Sequence, residues 1–243
     1  MRFDGAKVLV TGAAGGIGKA IVAAFEAEGA VVAGSDRPGS DIAGGHIFEG
    51  DLTDAAFCDG LPAKADAALG GLDVVCNNAG MIARGRLPNA SDADIATTLA
   101  VNIEAPTRIC RAAIPIMAAQ GGGAIVNTAS CWGLQPGPDH PLYIMSKAAL
   151  ASLTQCLGRD HAGDGIRVNA VCPNEVNTEM LRSGFETRGI DPAHGIADLD
   201  SSVPLGRIAE PEDIADVVVF LASDAARYMC GALVEVNGGK PVG

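Results

Sequence analysis

The architecture of this chain is set by Lys7-Val8-Leu9-Val10-Thr11-Gly12-Ala13-Ala14-Gly15-Gly16-Ile17-Gly18. The first four residues form a short, mostly apolar run of the kind that strands favour, and apolar residues follow at helical spacing from Ile17 to Phe25. Glycines between a strand and a helix let the backbone approach a pyrophosphate, which the helix N-terminus stabilises. We therefore predict that Gly12, Gly16, Ile17 and Gly18 bind a dinucleotide, although such turns also occur as ordinary tight connections.

Six further strand-like runs alternate with stretches of helical spacing along the chain. They are Ala30–Ala33, His46–Phe48, Val74–Cys76, Ala124–Asn127, Arg167–Val171 and Leu233–Val236. This alternation predicts an α/β fold, a single Rossmann-like domain over residues 1–243 with a doubly wound parallel sheet and helices on both faces. One polar, glycine-containing stretch interrupts this alternation of strands and helices. We predict that this stretch, residues 177–205, forms a flexible flap beside the ligand-binding site.

Composition and charge exclude several classes of protein. The 243 residues are 48% hydrophobic, which is enough for a sizeable core and excludes a disordered chain. A net charge of −12 repels nucleic acid and anionic membranes, so we expect neither as a partner. The seven cysteines form no CxxC pair and the four histidines no zinc-ligand spacing. We therefore predict no metal site and a reducing, cytoplasmic location. No apolar stretch is long enough to span a bilayer, so we predict a soluble protein.

The second predicted strand ends at Asp36. A carboxylate at that position accepts hydrogen bonds from the adenosine ribose and repels a ribose phosphate, which favours NAD over NADP. Arg37 is the next residue, and a guanidinium there could tolerate the phosphate. NAD is the predicted cofactor, and acceptance of NADP stays open.

Tyr143 and Lys147 lie four residues apart, on one face of a predicted helix that Pro141 helps to begin. A nearby ammonium favours phenolate and is expected to lower the tyrosine pKa from about 10, which makes the tyrosine a usable base. With 2 tyrosines in the chain, the number of tyrosine–lysine pairs expected at this spacing by chance is only about 0.04. Ser130 lies at a predicted strand end, where ligands of α/β sheets bind. A core tyrosine beside an exposed lysine is the alternative.

Together these motifs resemble the short-chain dehydrogenase/reductase family in its compact form, over essentially the whole chain. Thr11 to Gly18 is similar to the TGxxxGxG turn of the family, Asp51-Leu52 to its acidic adenine contact, and Asn77 to Gly80 to its NNAG segment. Gly238-Gly239 follows the last predicted strand as in the family. The matches to its catalytic tetrad are Asn102, Ser130, Tyr143 and Lys147.

The resemblance implies a role for each member of the tetrad and a cofactor site. Tyr143 would be the acid/base, Ser130 would orient the substrate oxygen, Lys147 would bind the nicotinamide ribose, and Asn102 would support a water relay. Tyr143 would contact the cofactor as well as Lys147, and further cofactor contacts would come from Asp51, Leu52, Asn78, Ala79 and Gly80. The resemblance also implies seven strands and a homotetramer, with helices around residues 104–119 and 141–157 and the last strand at its interfaces.

The PGxVxT segment of the family is represented by Pro173-Asn174-Glu175-Val176-Asn177-Thr178. The resemblance implies that Pro173, Val176 and Thr178 contact the cofactor. Asn174 replaces the usual glycine, and it either reaches the substrate side of the nicotinamide or occupies a left-handed backbone position.

Substrate contacts are predicted from placement in the family. The candidates are Ser130, Trp132, His140, Tyr143, Asn174 and Arg182. Arg84, Arg86 and Arg188 also flank the cleft, and their forked guanidinium groups suit a carboxylate, sulfonate or polyol, with solvated surface as the alternative. We predict hydride transfer between NAD(H) and the secondary alcohol or ketone of a small polar substrate, such as a sugar, polyol, hydroxy acid or hydroxysulfonate, in a direction that the sequence leaves open.

Two other functions stay open. A 3-oxoacyl thioester reductase using NADPH would share the tetrad and would need a basic surface for an acidic carrier protein. Arg108 and Arg111, on one predicted helix, are candidates for that surface. A non-catalytic nucleotide-binding scaffold on the same fold is the remaining alternative.

Overall fold

The computed structural model describes residues 1–240 and contains a seven-stranded sheet in the order β3-β2-β1-β4-β5-β6-β7. Every neighbouring pair is parallel. The strands are Lys7–Thr11 (β1), Val31–Asp36 (β2), His46–Glu49 (β3), Val74–Asn77 (β4), Gly123–Thr128 (β5), Ile166–Pro173 (β6) and Leu233–Val236 (β7). The seven predicted runs each fall on one of these strands, so the predicted sheet is confirmed.

Nine α-helices are present among the described residues. They are Gly16–Ala27 (α1), Ala55–Leu69 (α2), Asp92–Leu99 (α3), Ala105–Ala119 (α4), Cys131–Leu134 (α5), Pro141–Asp160 (α6), Glu179–Thr187 (α7), Pro192–Ser202 (α8) and Pro211–Ala222 (α9). Helix α1 packs beside α9, and α2 packs beside α4. These two pairs contribute to separate hydrophobic clusters, which confirms helices on both faces.

Strand β1 shows why the strand runs are apolar throughout. Val8 and Val10 belong to the cluster that contains α1 and α9, whereas Leu9 belongs to the cluster with α2 and α4. Successive side chains of a strand point to opposite faces, and all three of these side chains are fully buried. A central strand covered on both faces needs an apolar residue at every position, so it shows no polar alternation.

The strand order places a crevice between β1 and β4, because the chain passes to opposite sides of β1 at this point. The turns that follow β1, β4, β5 and β6 therefore meet at one edge of the sheet. The predicted flap begins after β6 and contains helices α7 and α8. Its mobility remains a prediction.

Further features concern membranes, metals and cysteines. In residues 1–240, no helix has both the length and the apolar character needed to cross a membrane. The same residues contain no group of three or more His, Cys, Asp or Glu that could hold a metal ion. Five of the cysteines are buried, and Cys156 and Cys230 are exposed.

Candidate active site

The glycine-rich turn after β1 is closely packed. Gly12 has a φ of +69°, and a Cβ atom on it would lie 2.8 Å from the Cα atom of Ala79. A Cβ atom on Gly18 would overlap the carbonyl oxygen of Gly12. Helix α1 begins at Gly16, and none of the described side chains caps its N-terminus. Its first amide groups are therefore available to an anion such as a pyrophosphate.

The turns after β1 and β4 are joined across the crevice by hydrogen bonds. The Thr11 hydroxyl oxygen accepts from the backbone N–H groups of Asn78 and Ala79, both at 3.2 Å. The Asn78 amide donates to the carbonyl oxygens of Thr11 at 3.2 Å and Gly12 at 3.3 Å. Thr11 begins the glycine-rich motif but is not among the predicted site residues, because a threonine at a strand end gives no separate signal.

Two carboxylates lie at the ends of β2 and β3. Asp36 accepts hydrogen bonds from the backbone N–H groups of Ala14 at 3.0 Å and Arg37 at 2.8 Å, so it adjoins the glycine-rich turn. Asp51 accepts from the backbone N–H of Thr53 at 2.8 Å and from its hydroxyl at 2.9 Å. These bonds, and to a lesser extent the charge of Arg37, lower the pKa of Asp51. Leu52 is partly buried beside Asp51.

Lys147 and Ser130 are buried at the carboxyl end of β5. The Lys147 ammonium donates to the carbonyl oxygen of Thr128 at 2.7 Å and lies 5.9 Å from the centroid of the Tyr143 ring. Ser130 caps the short helix α5, where its hydroxyl accepts from the backbone N–H of Trp132 at 3.2 Å. The structure thus brings three predicted catalytic side chains together.

Asn102 is buried in a π-helical turn at Ala100–Glu104, which joins α3 to α4. Its amide pairs with the backbone of Met81, accepting at 2.9 Å and donating at 2.8 Å. It also donates to the Ser146 hydroxyl at 2.9 Å, and that hydroxyl donates to the carbonyl oxygen of Tyr143 at 2.7 Å. Ser146 was missed by the sequence analysis, because a serine inside a helix has no distinguishing pattern.

Gly80 passes close to both Lys147 and Asn102. A Cβ atom on Gly80 would lie 3.1 Å from the Lys147 nitrogen and 3.5 Å from the Asn102 amide oxygen. The absence of a side chain at this position therefore lets the NNAG segment lie directly against two tetrad residues.

The ionisation of the Tyr143–Lys147 pair differs from the expectation. Burial raises the pKa of Tyr143, and a smaller opposing effect comes from the Ser130 hydroxyl. Burial also lowers the pKa of Lys147 to about 8. The prediction that Lys147 lowers the tyrosine pKa is wrong for this structure, because desolvation of the phenolate dominates. Tyr143 therefore carries its proton at neutral pH.

The segment after β6 returns to the glycine-rich turn. Pro173 ends β6, and Val176 is buried in an isolated parallel bridge with Ala209. The methyl group of Thr178 lies 3.1 Å from the position that a Cβ atom would take on Gly16. Two of the predicted cofactor-binding segments are thereby adjacent.

Asn174 donates its backbone N–H to the carbonyl oxygen of Val236 at 3.1 Å. Among the described residues, only Asp139 has a positive φ without being glycine. The interpretation of Asn174 as a left-handed position is therefore wrong, and its side chain remains a predicted substrate contact.

Trp132 and His140 pack against each other beside Ser130, whose hydroxyl accepts from the Trp132 backbone. Their ring centroids are 4.9 Å apart in an edge-to-face arrangement. The imidazole Nδ1 of His140 lies 2.9 Å from the carbonyl oxygen of Pro138, and Gly137 packs against the indole. The two predicted substrate contacts are thus adjacent and held by the same loop.

The four arginines near the cleft lie in different surroundings. Arg182 donates to the Asn177 side-chain oxygen at 2.7 Å, at the base of the flap. Arg84 donates to the carbonyl oxygen of Met180 at 2.8 Å, which links the segment after β4 to α7. Arg188, the residue that follows α7, donates to a carbonyl oxygen of that helix. Arg86 lines a separate open groove beside α6.

The sequence is similar to several oxidoreductases. Residues 12–240 match the family described as enoyl-(acyl carrier protein) reductase. The chain is 36% identical to an uncharacterised oxidoreductase of Thermotoga maritima, with 99% of each chain covered. It is 35% identical to meso-2,3-butanediol dehydrogenase of Serratia marcescens, covering 98% of this chain and 96% of the other. It is also 35% identical to D-threitol dehydrogenase of Mycolicibacterium smegmatis, covering 99% and 95%.

Solved structures are similar over nearly the whole chain. Aldohexose dehydrogenase of Thermoplasma acidophilum superposes with a TM-score of 0.90 at 30% identity, covering 96% of this chain and 93% of the other. The 3-ketoacyl-(acyl-carrier-protein) reductase of Brucella melitensis, complexed with NADH, gives 0.86 at 26% identity, covering 97% and 98%. A short-chain dehydrogenase of Burkholderia cenocepacia in complex with NADP gives 0.88 at 30% identity, covering 99% of each chain. With the sheet order, the glycine-rich turn and the sequence match all in agreement, this chain belongs to the short-chain dehydrogenase/reductase family of oxidoreductases.

Proposed function

We propose that the protein is an NAD-dependent dehydrogenase that interconverts a small polar secondary alcohol and its ketone. The observation that carries this proposal is the convergence of Ser130, Tyr143 and Lys147 at the carboxyl end of β5. Relatives named for butanediol, threitol and aldohexose support a small polyhydroxylated or similarly polar substrate.

The glycine-rich turn fits a dinucleotide, because helix α1 begins there without a side-chain cap, so its first amide groups can bind a pyrophosphate. Gly12 and Gly18 allow the tight turn, since a Cβ atom on either would clash with neighbouring backbone. Gly12, Gly16, Ile17 and Gly18 would hold the pyrophosphate, and Thr178 would face it from the flap. The nicotinamide, when bound, supplies the hydride acceptor or donor. Lys147 would hold its ribose with the ammonium hydrogens that Thr128 leaves free.

The carboxylate of Asp36 supports NAD as the preferred form of the cofactor. It adjoins the glycine-rich turn through Ala14 and would accept hydrogen bonds from ribose hydroxyls. A phosphate on the same ribose would be repelled by this charge. Arg37 contributes weakly to the lowered pKa of Asp51, so a second carboxylate lies near its positive charge.

In the oxidation direction, Tyr143 as phenolate would take the hydroxyl proton of the substrate while Ser130 holds the same oxygen by a hydrogen bond. In the reduction direction, protonated Tyr143 would return that proton to the developing alkoxide. Because burial raises the pKa of Tyr143, the acid form predominates at neutral pH. Oxidation is therefore expected to accelerate as the pH rises.

The 3-oxoacyl thioester reductase remains the second candidate, since one similar structure carries that activity in its name. Docking of its acidic carrier protein would need exposed basic residues on this chain. Arg108 and Arg111 both pair with Asp59, at 3.1 Å and 2.6 Å. Their charge is thereby reduced at the surface on which a carrier protein would dock, which favours the free alcohol.

Initial rates of NADH formation test the proposal. Polyols, sugars, hydroxy acids, hydroxysulfonates and a hydroxyacyl thioester would be compared with NAD and NADP in parallel. We expect turnover with NAD, a loss of at least 1,000-fold in Tyr143→Phe, and NAD binding within twofold of the wild type. Turnover restricted to the thioester with NADP would support the second candidate. Tight NAD binding without turnover in either direction would support the scaffold.

A further inference from the structure

Two guanidinium groups converge on Gly184 in helix α7. If Gly184 carried a Cβ atom, that atom would lie 2.6 Å from Nη2, 3.0 Å from Cζ and 3.1 Å from Nε of Arg84. Arg188 donates from Nε to the carbonyl oxygen of Gly184 at 3.0 Å. Gly184 is buried, so the missing side chain makes room for a cation from another segment.

No carboxylate of residues 1–240 lies within 4.0 Å of the Arg84 or Arg188 guanidinium. Glu179 and Glu186, which belong to α7 itself, also lie farther away than this limit. In contrast, Arg2, Arg108, Arg111 and Arg207 each pair with an acid. The chain has 29 acidic residues against 17 basic ones, so two adjacent arginines without an acid form a local positive spot on an acidic protein. The pKa of Arg84 is lowered by burial and by Arg188, in keeping with this arrangement.

The sheet order shows where this pair lies. Arg84 belongs to the segment that follows β4, and α7 belongs to the segment that follows β6. Strand β5, which leads to Ser130, lies between those two strands. The hydrogen bond from Arg84 to the carbonyl oxygen of Met180 therefore joins the two segments that border the carboxyl end of β5.

We propose that Arg84 and Arg188 bind an oxyanion at the far end of the substrate from the reacting alcohol. This inference rests on the proposed function and narrows its substrate class to alcohols that carry a carboxylate, sulfonate or phosphate. Arg84 and Arg188 each have guanidinium N–H groups that do not donate to a carbonyl oxygen, and these groups would donate to the oxyanion. The two guanidinium groups carry the same charge, so binding of an anion between them is favourable because the anion neutralises both charges.

Kinetics on matched substrates provide the first test. 3-Hydroxybutyrate would be compared with its neutral amide, and 2-hydroxypropane-1-sulfonate and 2-hydroxypropyl phosphate would distinguish the type of anion. We expect kcat/KM at least 10-fold higher for one of the anions than for the amide. Arg84→Met should remove that advantage through KM and leave the amide within twofold. The matched control is Arg86→Met, a change in the same loop, which should retain the preference.

Gly184→Ala is a second variant, which keeps both charges and favours the helix. Its methyl group would displace the Arg84 guanidinium and should therefore also weaken the kcat/KM preference for the anionic substrate over the amide. A wild type that uses the amide as well as every anion would overturn the proposal. So would an Arg84→Met variant that loses activity equally on charged and neutral substrates, since Arg84 would then only hold the flap.

Binding provides a readout that does not depend on turnover. Trp132 is the single tryptophan of the chain, and its fluorescence would be followed while butyrate or propane-1-sulfonate is added to the protein with NAD. Saturable quenching that Arg84→Met weakens at least 10-fold would support the anion site even if no alcohol is oxidised, in which case only the proposed reaction fails. Equal binding by the wild type and Arg84→Met, or no binding, would overturn the site.

Discussion

The Lys147 ammonium donates a hydrogen bond of 2.7 Å to the carbonyl oxygen of Thr128, the last residue of β5. The lysine is 3% exposed, and this neutral oxygen is its only hydrogen-bond acceptor among the described residues. A cation held in this way keeps its position but gains little compensation for desolvation. The end of β5 therefore positions the charge, and burial of the ammonium group lowers the pKa of Lys147.

This relationship predicts how stability depends on pH. Burial lowers the Lys147 pKa to about 8, against about 10.4 for an unperturbed lysine. Between these values the unfolded chain binds more protons than the folded one, so the contribution of Lys147 to stability rises with pH. Urea denaturation of the wild type and Lys147→Met should show the free energy of unfolding of the wild type gaining about 2 kcal/mol relative to the variant between pH 7 and 9.5.

The comparison with Lys147→Met removes contributions that both proteins share, such as the titration of the buried cysteines. Asn102→Ala serves as a control, because it alters the same site without removing a titratable group. A constant difference between wild type and Lys147→Met across this pH range would show that Lys147 has an ordinary pKa.

The positions of the strands and of the tetrad were predictable, because each leaves a local pattern. Buried parallel strands require continuous apolar runs, and Tyr143 and Lys147 share one turn of helix. The Tyr143 pKa was not predictable, since sequence spacing shows that a charge is near but not how far a phenol is desolvated. The link from Asn102 through Ser146 to Tyr143 was also hidden, because it depends on how α3, α4 and α6 pack together.

Gly80→Ala tests the close approach between the NNAG segment and Lys147. The new methyl group would lie 3.1 Å from the ammonium nitrogen, so the lysine must move by a few tenths of an ångström. We expect kcat to fall about 10-fold, since small displacements of positioned groups are costly, with little change in melting temperature. Gly60→Ala is the control, because its Cβ atom would meet only a lysine side chain at 4.0 Å. Full activity in Gly80→Ala would show that the contact has no functional role.

Asp36→Asn tests the proposed preference for NAD. The amide removes the negative charge that would repel a ribose phosphate and weakens acceptance from the ribose hydroxyls. We expect the ratio of kcat/KM for NAD over that for NADP to fall at least 10-fold, which corresponds to about 1.4 kcal/mol. Asp41→Asn, at the exposed partner of Lys19, should leave the ratio unchanged. An unchanged ratio in Asp36→Asn would exclude this carboxylate as the determinant.

Arg167 joins β6 to the end of α9, so we expect its substitution to have a large effect on the free energy of unfolding. Its guanidinium donates to the carbonyl oxygens of Leu221 at 2.6 Å, Ala222 at 2.7 Å, and Ser223 and Ala226 at 3.2 Å. These acceptors belong to or adjoin the C-terminal turn of α9, where a cation also interacts favourably with the helix dipole.

Arg167→Met would keep most of the aliphatic stem and leave four partly buried carbonyl oxygens without this donor. We expect the free energy of unfolding to fall by about 2–4 kcal/mol in urea denaturation, because hydrogen bonds to charged groups are the stronger ones. The control Arg227→Met removes one exposed contact with Asp224 at 3.2 Å and should change stability by less than about 0.5 kcal/mol. Since Arg167 packs at the end of the sheet away from Ser130, the folded variant should keep its KM for NAD. A variant as stable as the wild type would show that water replaces the guanidinium without cost.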